Sequence, residues 1–553
     1  MFITCNKHVI QSPFPSIPPD HKGLPFTEFV TKDWKKADGA LRNKAAVVDA
    51  FTGQTRTFRD YYNDMGSIAA HLKHDIGIDE TSTIALFSPN HVDYVPICLA
   101  AALCGAKLTP INPQFKASEL STILNRSDSE VLIVHYNNMD VAMEAIKGTK
   151  VKHIITIPEE DDAPVPEGTI SLSDLKNHST PILETHHAVR NNTENHAFLL
   201  PYSSGTTGLP KGVCLSHSNL IWNLLQIEGI EGMAFPSNQK LISPLPFFHI
   251  YGWLVSALYA VWQGQELITM PRFDLELFCH AVEKHRPHRA HLVPPIIIQL
   301  AKNPIVDKYD LSSLNMIVSG AAPLSKQTEQ DVFNRIGCRT KQAWGMSELS
   351  PLATCTSDYN MRSGSVGQLT PDTYGKIVDT TGRSLGVNKP GELMIKGPQV
   401  MMGYLNDPDK TAECLSKDGW LRTGDVAQYD EEGFFYITDR IKELIKVRGY
   451  QVAPAELEAL LLTHPHISDA AVIPVEDEMS GELPRAYVTL KDDSKPEDVS
   501  EEAIKAWVEE RVAPFKRLEG GVRFIDQVPK SASGKILRRM LVEQVRAERA
   551  ATV

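Results

Sequence analysis

The eight cysteines of this chain (Cys5, Cys98, Cys104, Cys214, Cys279, Cys338, Cys355 and Cys414) include no C-x-x-C pair. That absence speaks against a zinc site or a disulfide framework and for reduced thiols in an intracellular compartment. No H-E-x-x-H helix is present either. Excess positive charge is also lacking: the net charge is -12, without the basic footprint of a nucleic-acid binder. No apolar run reaches the ~18 residues of a membrane helix. Those at 94–106 and 254–262 read as buried helices, and no transmembrane segment is expected. The start, MFITCNKHVI, has no basic stretch followed by an apolar one, and the final Ala-Thr-Val is not a Ser-Lys-Leu-type address. Together these absences predict a cytoplasmic location over a peroxisomal one.

At 553 residues the chain is too long for one compact core. From 57 to 158 helical and strand patterns alternate: RDYYNDMGSIAAHLKH, TIALFSP, YVPICLAAALCGA, KLTPIN, SELSTILNRSD, EVLIVH, VKHIITIP. Short apolar strands separated by helices predict βαβ units and parallel sheets covered on both faces, an α/β body. A second alternating stretch spans 197–353. After 364, Gly-punctuated alternating segments such as GELMIKG and GFFYITDR predict a small antiparallel, barrel-like β unit. Beyond 439 the pattern becomes α+β. The expected organisation is a body at 1–439 with its β-rich part at 364–439, a hinge at 440–442, and a small mobile lid at 443–553.

The most informative segment is YSSGTTGLPKG, residues 202–212. Gly205 and Gly208 permit close backbone approach, and Ser203, Ser204, Thr206 and Thr207 add hydroxyls to backbone N–H donors, so the loop can wrap a polyphosphate. Lys211 adds a positive charge. It is not a Walker loop, because Pro210 stands where the second glycine of that spacing belongs. Four further segments support nucleotide chemistry. SGAAPL (319–324) would let a flat ring lie on the backbone. QAWGMSE (342–348) offers an aromatic face, a hydroxyl and a carboxylate suited to magnesium. WLRTGD ends in Asp425, able to accept from ribose hydroxyls. PKSASGK ends in Lys535, expected to open the last helix as a reach-in cation for charge building on phosphate.

These motifs, with DRIKELIKVRGYQVAPAELE, stand in an order that resembles the acyl-adenylate-forming (AMP-dependent synthetase/ligase) enzymes over about 25–540. The likeness is greatest to 4-coumarate–CoA ligase-like acyl-CoA synthetases, which share KYDLSSL and FFHIYG. The resemblance implies ATP, Mg2+ and coenzyme A, and a carboxylic acid activated as acyl-AMP before thioester formation. Carried over, the 203–211 loop holds the β- and γ-phosphates, with Thr206 and Glu348 at the metal. Gly320, Ala321, Ala322, Gln342, Ala343, Trp344 and Gly345 frame the adenine, Trp344 replacing the usual tyrosine. Ser347 touches the α-phosphate, Asp425 and Arg440 hold the ribose, and Lys442 is the hinge. Lys446 and Gln451 contact nucleotide, Arg448 and Gly449 face the pantetheine channel, and Lys535 drives adenylation. The implied catalytic set is Lys535, Ser347, Glu348 and His249.

The implied acyl pocket is lined by His249, Tyr251, Leu254, Lys302, Gly320 and Pro351. HIYGWL replaces the plant HIYALN, so Leu254 and Trp253 predict a more apolar tunnel, suited to a fatty or unsubstituted arylpropenoic acid. A luciferase-like monooxygenase, a carrier-protein-loading enzyme and a non-catalytic scaffold are the alternatives; joint retention of Lys535, Glu348 and Asp425 argues against the last. Monomer and homodimer remain equally open.

Overall fold

A computed structural model describes residues 8–36, 41–161, 163–203, 210–448, 450–477, 479–491, 494, 499–531 and 534–552. The 204–209 part of the phosphate loop, the Ser203 side chain and Gly449 lie outside the described residues.

Two nine-stranded sheets form the layered body. In the first, Thr83–Phe87 runs between Lys107–Ile111 and Val131–His135, with His153–Ile157 beyond, all parallel. TIALF and VLIVH read as unbroken apolar runs because these strands are buried on both faces. The helix Tyr94–Cys104 between them is buried along its whole length, hence its lack of a polar stripe. In the second sheet, Ala45–Asp49, Glu266–Thr269, Lys240–Ser243, Arg289–Leu292, Met316–Ser319 and Arg339–Gly345 run parallel in that spatial order. Ala45–Asp49 lies upstream of the alternation expected from residue 57. It joins the sheet beside Glu266–Thr269, a long-range pairing that no local pattern announces.

A six-stranded antiparallel sheet follows, built from Tyr374–Val378, Gly391–Lys396, Leu421–Tyr429 and Phe435–Arg440. Ile10–Gln11 closes one edge. The C-terminal unit has its own five-stranded sheet, centred on Ile467–Asp477 and Gly481–Leu490, and its own apolar core. Its last helix begins at Arg538, not at Lys535. Lys535 instead closes a tight loop: Ser531 N–H donates to Lys535 O at 2.8 Å, and Leu537 N–H donates to Pro529 O at 2.8 Å. Seven cysteines fall within the described residues, and all are free.

His217 lies wholly inside the body, its Nδ1 accepting from Phe26 N–H at 3.2 Å while its Nε2 has no partner among the described residues. Burial, helped by His196, pushes its pKa down to about 3. The folded ring is neutral, and the unfolded ring takes a proton below about pH 6.5, so this residue destabilises the fold as pH falls from 6.5 towards 3. His217→Gln should therefore flatten the pH dependence of unfolding free energy by about 1.4 kcal/mol per pH unit between pH 6 and 4. Urea melts of both proteins check this. The difference between them removes the opposite contributions of Asp64 and Glu458, whose buried carboxyls are pushed up to about 7.

Candidate active site

Open α/β sheets bind ligands beyond the carboxyl ends of their strands. Met316–Ser319 ends in the turn carrying Gly320, Ala321 and Ala322, and the neighbouring Arg339–Gly345 ends in Ala343, Trp344 and Gly345. Gln342 faces that turn: its amide donates to Leu324 O at 3.0 Å and Glu329 at 2.8 Å, and accepts from Leu324 N–H at 3.0 Å. It braces a segment in which Ala321 holds a φ of 71°. A Cβ on Gly320 would stand 2.8 Å from the Tyr251 ring, and one on Gly345 would stand 2.0 Å from Pro351 O, so both close approaches require glycine. Pro351 O also accepts from Met346 N–H at 2.9 Å, which orients the Ser347–Leu349 turn.

Trp344 Nε1 donates to Asp425 Oδ2 at 2.9 Å. Arg440 faces Asp425 across the adjoining strands and brings Nε to 3.3 Å from Oδ1. That contact is an ion pair without hydrogen-bond geometry, so Oδ1 is buried with no hydrogen-bond partner among the described residues. Burial raises the Asp425 pKa, opposed by Arg440 and the tryptophan bond. A buried carboxylate oxygen with a free lone pair is suited to a ligand hydroxyl. Glu348, 6% exposed, accepts from Tyr404 O–H at 2.8 Å, and Lys211 Nζ sits 4.7 Å over the Tyr404 ring. The end of the phosphate loop and the carboxylate thus share one aromatic bridge.

Lys535 enters from the C-terminal unit. Gly534 packs so closely on the body that a Cβ there would lie 3.2 Å from Val293 and 3.3 Å from Pro295. Burial and Arg440 lower the Lys535 pKa, with Asp425 and Glu348 pulling the other way. His249 is pushed down to about 3 by burial and by the Lys535 charge. The lysine, both carboxylates, His249 and Arg440 therefore occupy one electrostatic neighbourhood. Behind them Arg538 grips both oxygens of Glu458, at 2.9 and 2.7 Å, and pairs with Glu443.

The family model for AMP-binding enzymes matches residues 34–405, and that for the AMP-binding enzyme C-terminal domain matches 456–535. The chain belongs to the AMP-binding enzyme family. It is an AMP-forming acid–thiol ligase, working through an acyl-adenylate. Among curated relatives, a probable 4-coumarate–CoA ligase 3 of Dictyostelium discoideum is 37% identical over 513 residues, covering 90% of this chain and 92% of the relative. A 4-coumarate–CoA ligase 1 of Arabidopsis thaliana is 37% identical over 507 residues, covering 90% and 89%. Among solved structures, ATP-bound MatB from Rhodopseudomonas palustris superposes with a TM-score of 0.83 at 25% identity, covering 94% of this chain and 98% of that one.

Other residues of this AMP-binding enzyme lie away from that neighbourhood. Lys446 and Gln451 face each other across an exposed hairpin of the C-terminal unit. Arg448, at the turn, is held outward by Ser480 (3.1 Å) and Glu519 (2.9 Å). Lys302 sits at the exposed end of Pro294–Lys302, its pKa lowered by partial burial and by Lys491. Trp253 points into the body core, stacked on Phe26 with Nε1 3.3 Å from Cys98 Sγ, and Leu254 is fully buried beside it.

The cavity next to Tyr251 is walled by Ile227, Val255, Val318, Ala343 and Leu352, with His291 on the same lining. Tyr251 O–H donates to Val318 O at 2.9 Å. Glu231 and Arg289 also line it, in a network that pairs Glu231 and Asp358 with Arg289 and Lys341. Of these residues Tyr251 and Ala343 fall in the FFHIYG and QAWGMSE segments, and the others belong to no recognisable motif. The one visible sign was charge inside otherwise apolar strands, in RAHL and RTKQAWG.

Proposed function

We propose that this enzyme joins a hydroxycinnamate-like or fatty acid to coenzyme A in two half-reactions at the Lys535–Asp425–Glu348 site. In the first, an acid oxygen bonds to the α-phosphorus of ATP as the bond to pyrophosphate breaks. In the second, the thiol of coenzyme A bonds to the acyl carbon and AMP departs. The observation that carries this reading is the convergence of Lys535 with Asp425 and Glu348 from separate folding units. Asp425 Oδ1 accepts a ribose hydroxyl, and the Trp344 ring, fixed by its bond to Asp425, offers a face for the base. Lys535 stabilises charge on the α-phosphate and leaving group. Glu348 supplies hard oxygen donors that fit Mg2+, which when bound screens the phosphate charge. His249, neutral near pH 7, closes the site towards the acyl cavity.

Lys535 faces inward while Arg448 faces outward on the same unit, its side chain 55% exposed. One small domain cannot present both to the same centre, so rotation of 443–553 about 440–442 exchanges them between half-reactions. The test is pyrophosphate release across fatty and arylpropenoic acids, with and without coenzyme A, with products followed by mass spectrometry. Acid-dependent release with thioester formation supports the reading. Release with no thioester under any condition moves the assignment to a luciferase-like or carrier-loading enzyme.

A further inference from the structure

We propose that His71, Asp75 and His178 form a binding site for a transition-metal ion, Zn2+ by the chemistry of the donors, which pins the segment around His178 to the end of the helix Phe58–Ala70. The site shares no residue with the one described above. One nitrogen from each imidazole and one carboxylate oxygen of Asp75 all lie within 4.8 Å of one another. The helix Phe58–Ala70 continues into a π-helical turn, His71–Asp75, and a spacing of four residues puts the first and last side chains of that turn on one face. His178 arrives from the chain that follows Leu172–Leu175. The same chain goes on to cross the helix: Ile182 N–H donates to Gly66 O at 3.0 Å, and a Cβ on Gly66 would stand 2.8 Å from Leu183. A metal at His178 would add a second tie between the same two segments.

The existing hydrogen bonds already prepare the donors. His71 Nδ1 donates to Asp75 Oδ2 at 2.5 Å, the arrangement that orients a metal-binding imidazole and raises the basicity of its other nitrogen. That other nitrogen, Nε2, is buried and has no hydrogen-bond partner among the described residues. A buried polar atom left without a partner needs an explanation, and a bound ion supplies one. The His71 and His178 rings meet edge to face with centroids 4.7 Å apart, and the His74 ring lies 6.2 Å from that of His178 as the nearest further imidazole. His178 Nδ1 accepts from Thr180 N–H at 3.0 Å; Thr180 is exposed, so water replaces that bond when the ring turns to the metal. Two imidazoles and a carboxylate suit Zn2+, which binds such ligands at about 2.0–2.2 Å, so the three groups draw together on binding and water fills the open position. Mg2+ and Ca2+ seek all-oxygen ligand sets and do not fit these donors. The His71 and Asp75 side chains are 24% and 55% exposed, which gives the ion a way in from solvent.

The experiment titrates Zn2+ into chelator-treated full-length enzyme by equilibrium dialysis, without nucleotide, and compares the wild type with His178→Ala and Asp75→Asn. Urea melts of each, with and without Zn2+, accompany it. Both substituted side chains are partly or fully exposed, so the metal-free midpoints should stay at the wild-type value. The wild type is expected to bind one Zn2+ per chain at its tightest site, and each variant should bind it at least about tenfold more weakly. Zn2+ should raise the urea midpoint of the wild type more than that of either variant, because an ion held only by the folded protein stabilises it by mass action. Absence of bound Zn2+ in the wild type, or an affinity unchanged in either variant, overturns the proposal.

Discussion

Lys535→Ala is expected to slow acyl-adenylate formation by at least about 10²-fold while largely sparing thioester formation from preformed acyl-adenylate. Removal of one preorganised charge-stabilising donor has effects of that size. The asymmetry follows from the geometry. Lys535 shares its surroundings with Glu348, Asp425 and Arg440, where phosphate charge would build. The loop that carries it is closed by the backbone bond between Ser531 and Lys535, and Gly534 packs on Val293 and Pro295, so truncating the side chain leaves its support in place. Assay of the two half-reactions separately decides the matter. Equal losses in both would contradict the assignment of Lys535 to adenylation alone.

Lys341→Met is expected to destabilise the body by about 3–5 kcal/mol, the range for stripping one partner from a buried ion pair. Lys341 donates to Glu231 and to Asp358, each at 2.6 Å, and its side chain is fully buried. Burial works against its charge, yet Glu231 and the neighbouring anions raise its pKa. Without it, Arg289 faces two buried carboxylates alone. Adding Asp358→Leu restores charge balance with apolar volume, so the double variant should recover much of the loss. Urea unfolding of the two single variants and the double measures this, and simple additivity would show that the network is not coupled.

Much of the fold was legible because its strands and helices are locally consistent: TIALF, VLIVH and MIVS are buried on both faces and could be little else. Ile10–Gln11 and the place of Ala45–Asp49 in the large sheet were not, because Gly375 and Leu267–Thr269, which they pair with there, lie hundreds of residues away. At the proposed nucleotide site, Asp425, Trp344, Glu348 and Lys535 stood out as residue types matched to phosphate and ribose chemistry; Trp344 bonds to Asp425, and Lys535 feels the charges of Asp425 and Glu348. The acyl side was opaque. Trp253 and Leu254 sit two and three residues past Tyr251, and both are buried, Trp253 stacked on Phe26 in the core. His291 and Val318 line the cavity from strands, where only the three-dimensional register reveals which face they occupy.

The most direct test is a single turnover with enzyme in excess over a reactive acid and ATP, quenched without coenzyme A and analysed for acyl-AMP, then chased with coenzyme A. Acyl-AMP should accumulate in step with pyrophosphate and pass to thioester within the chase. Appearance of ADP and phosphate in place of AMP and pyrophosphate, or thioester formed with no acyl-AMP on its path, would contradict the two-step mechanism.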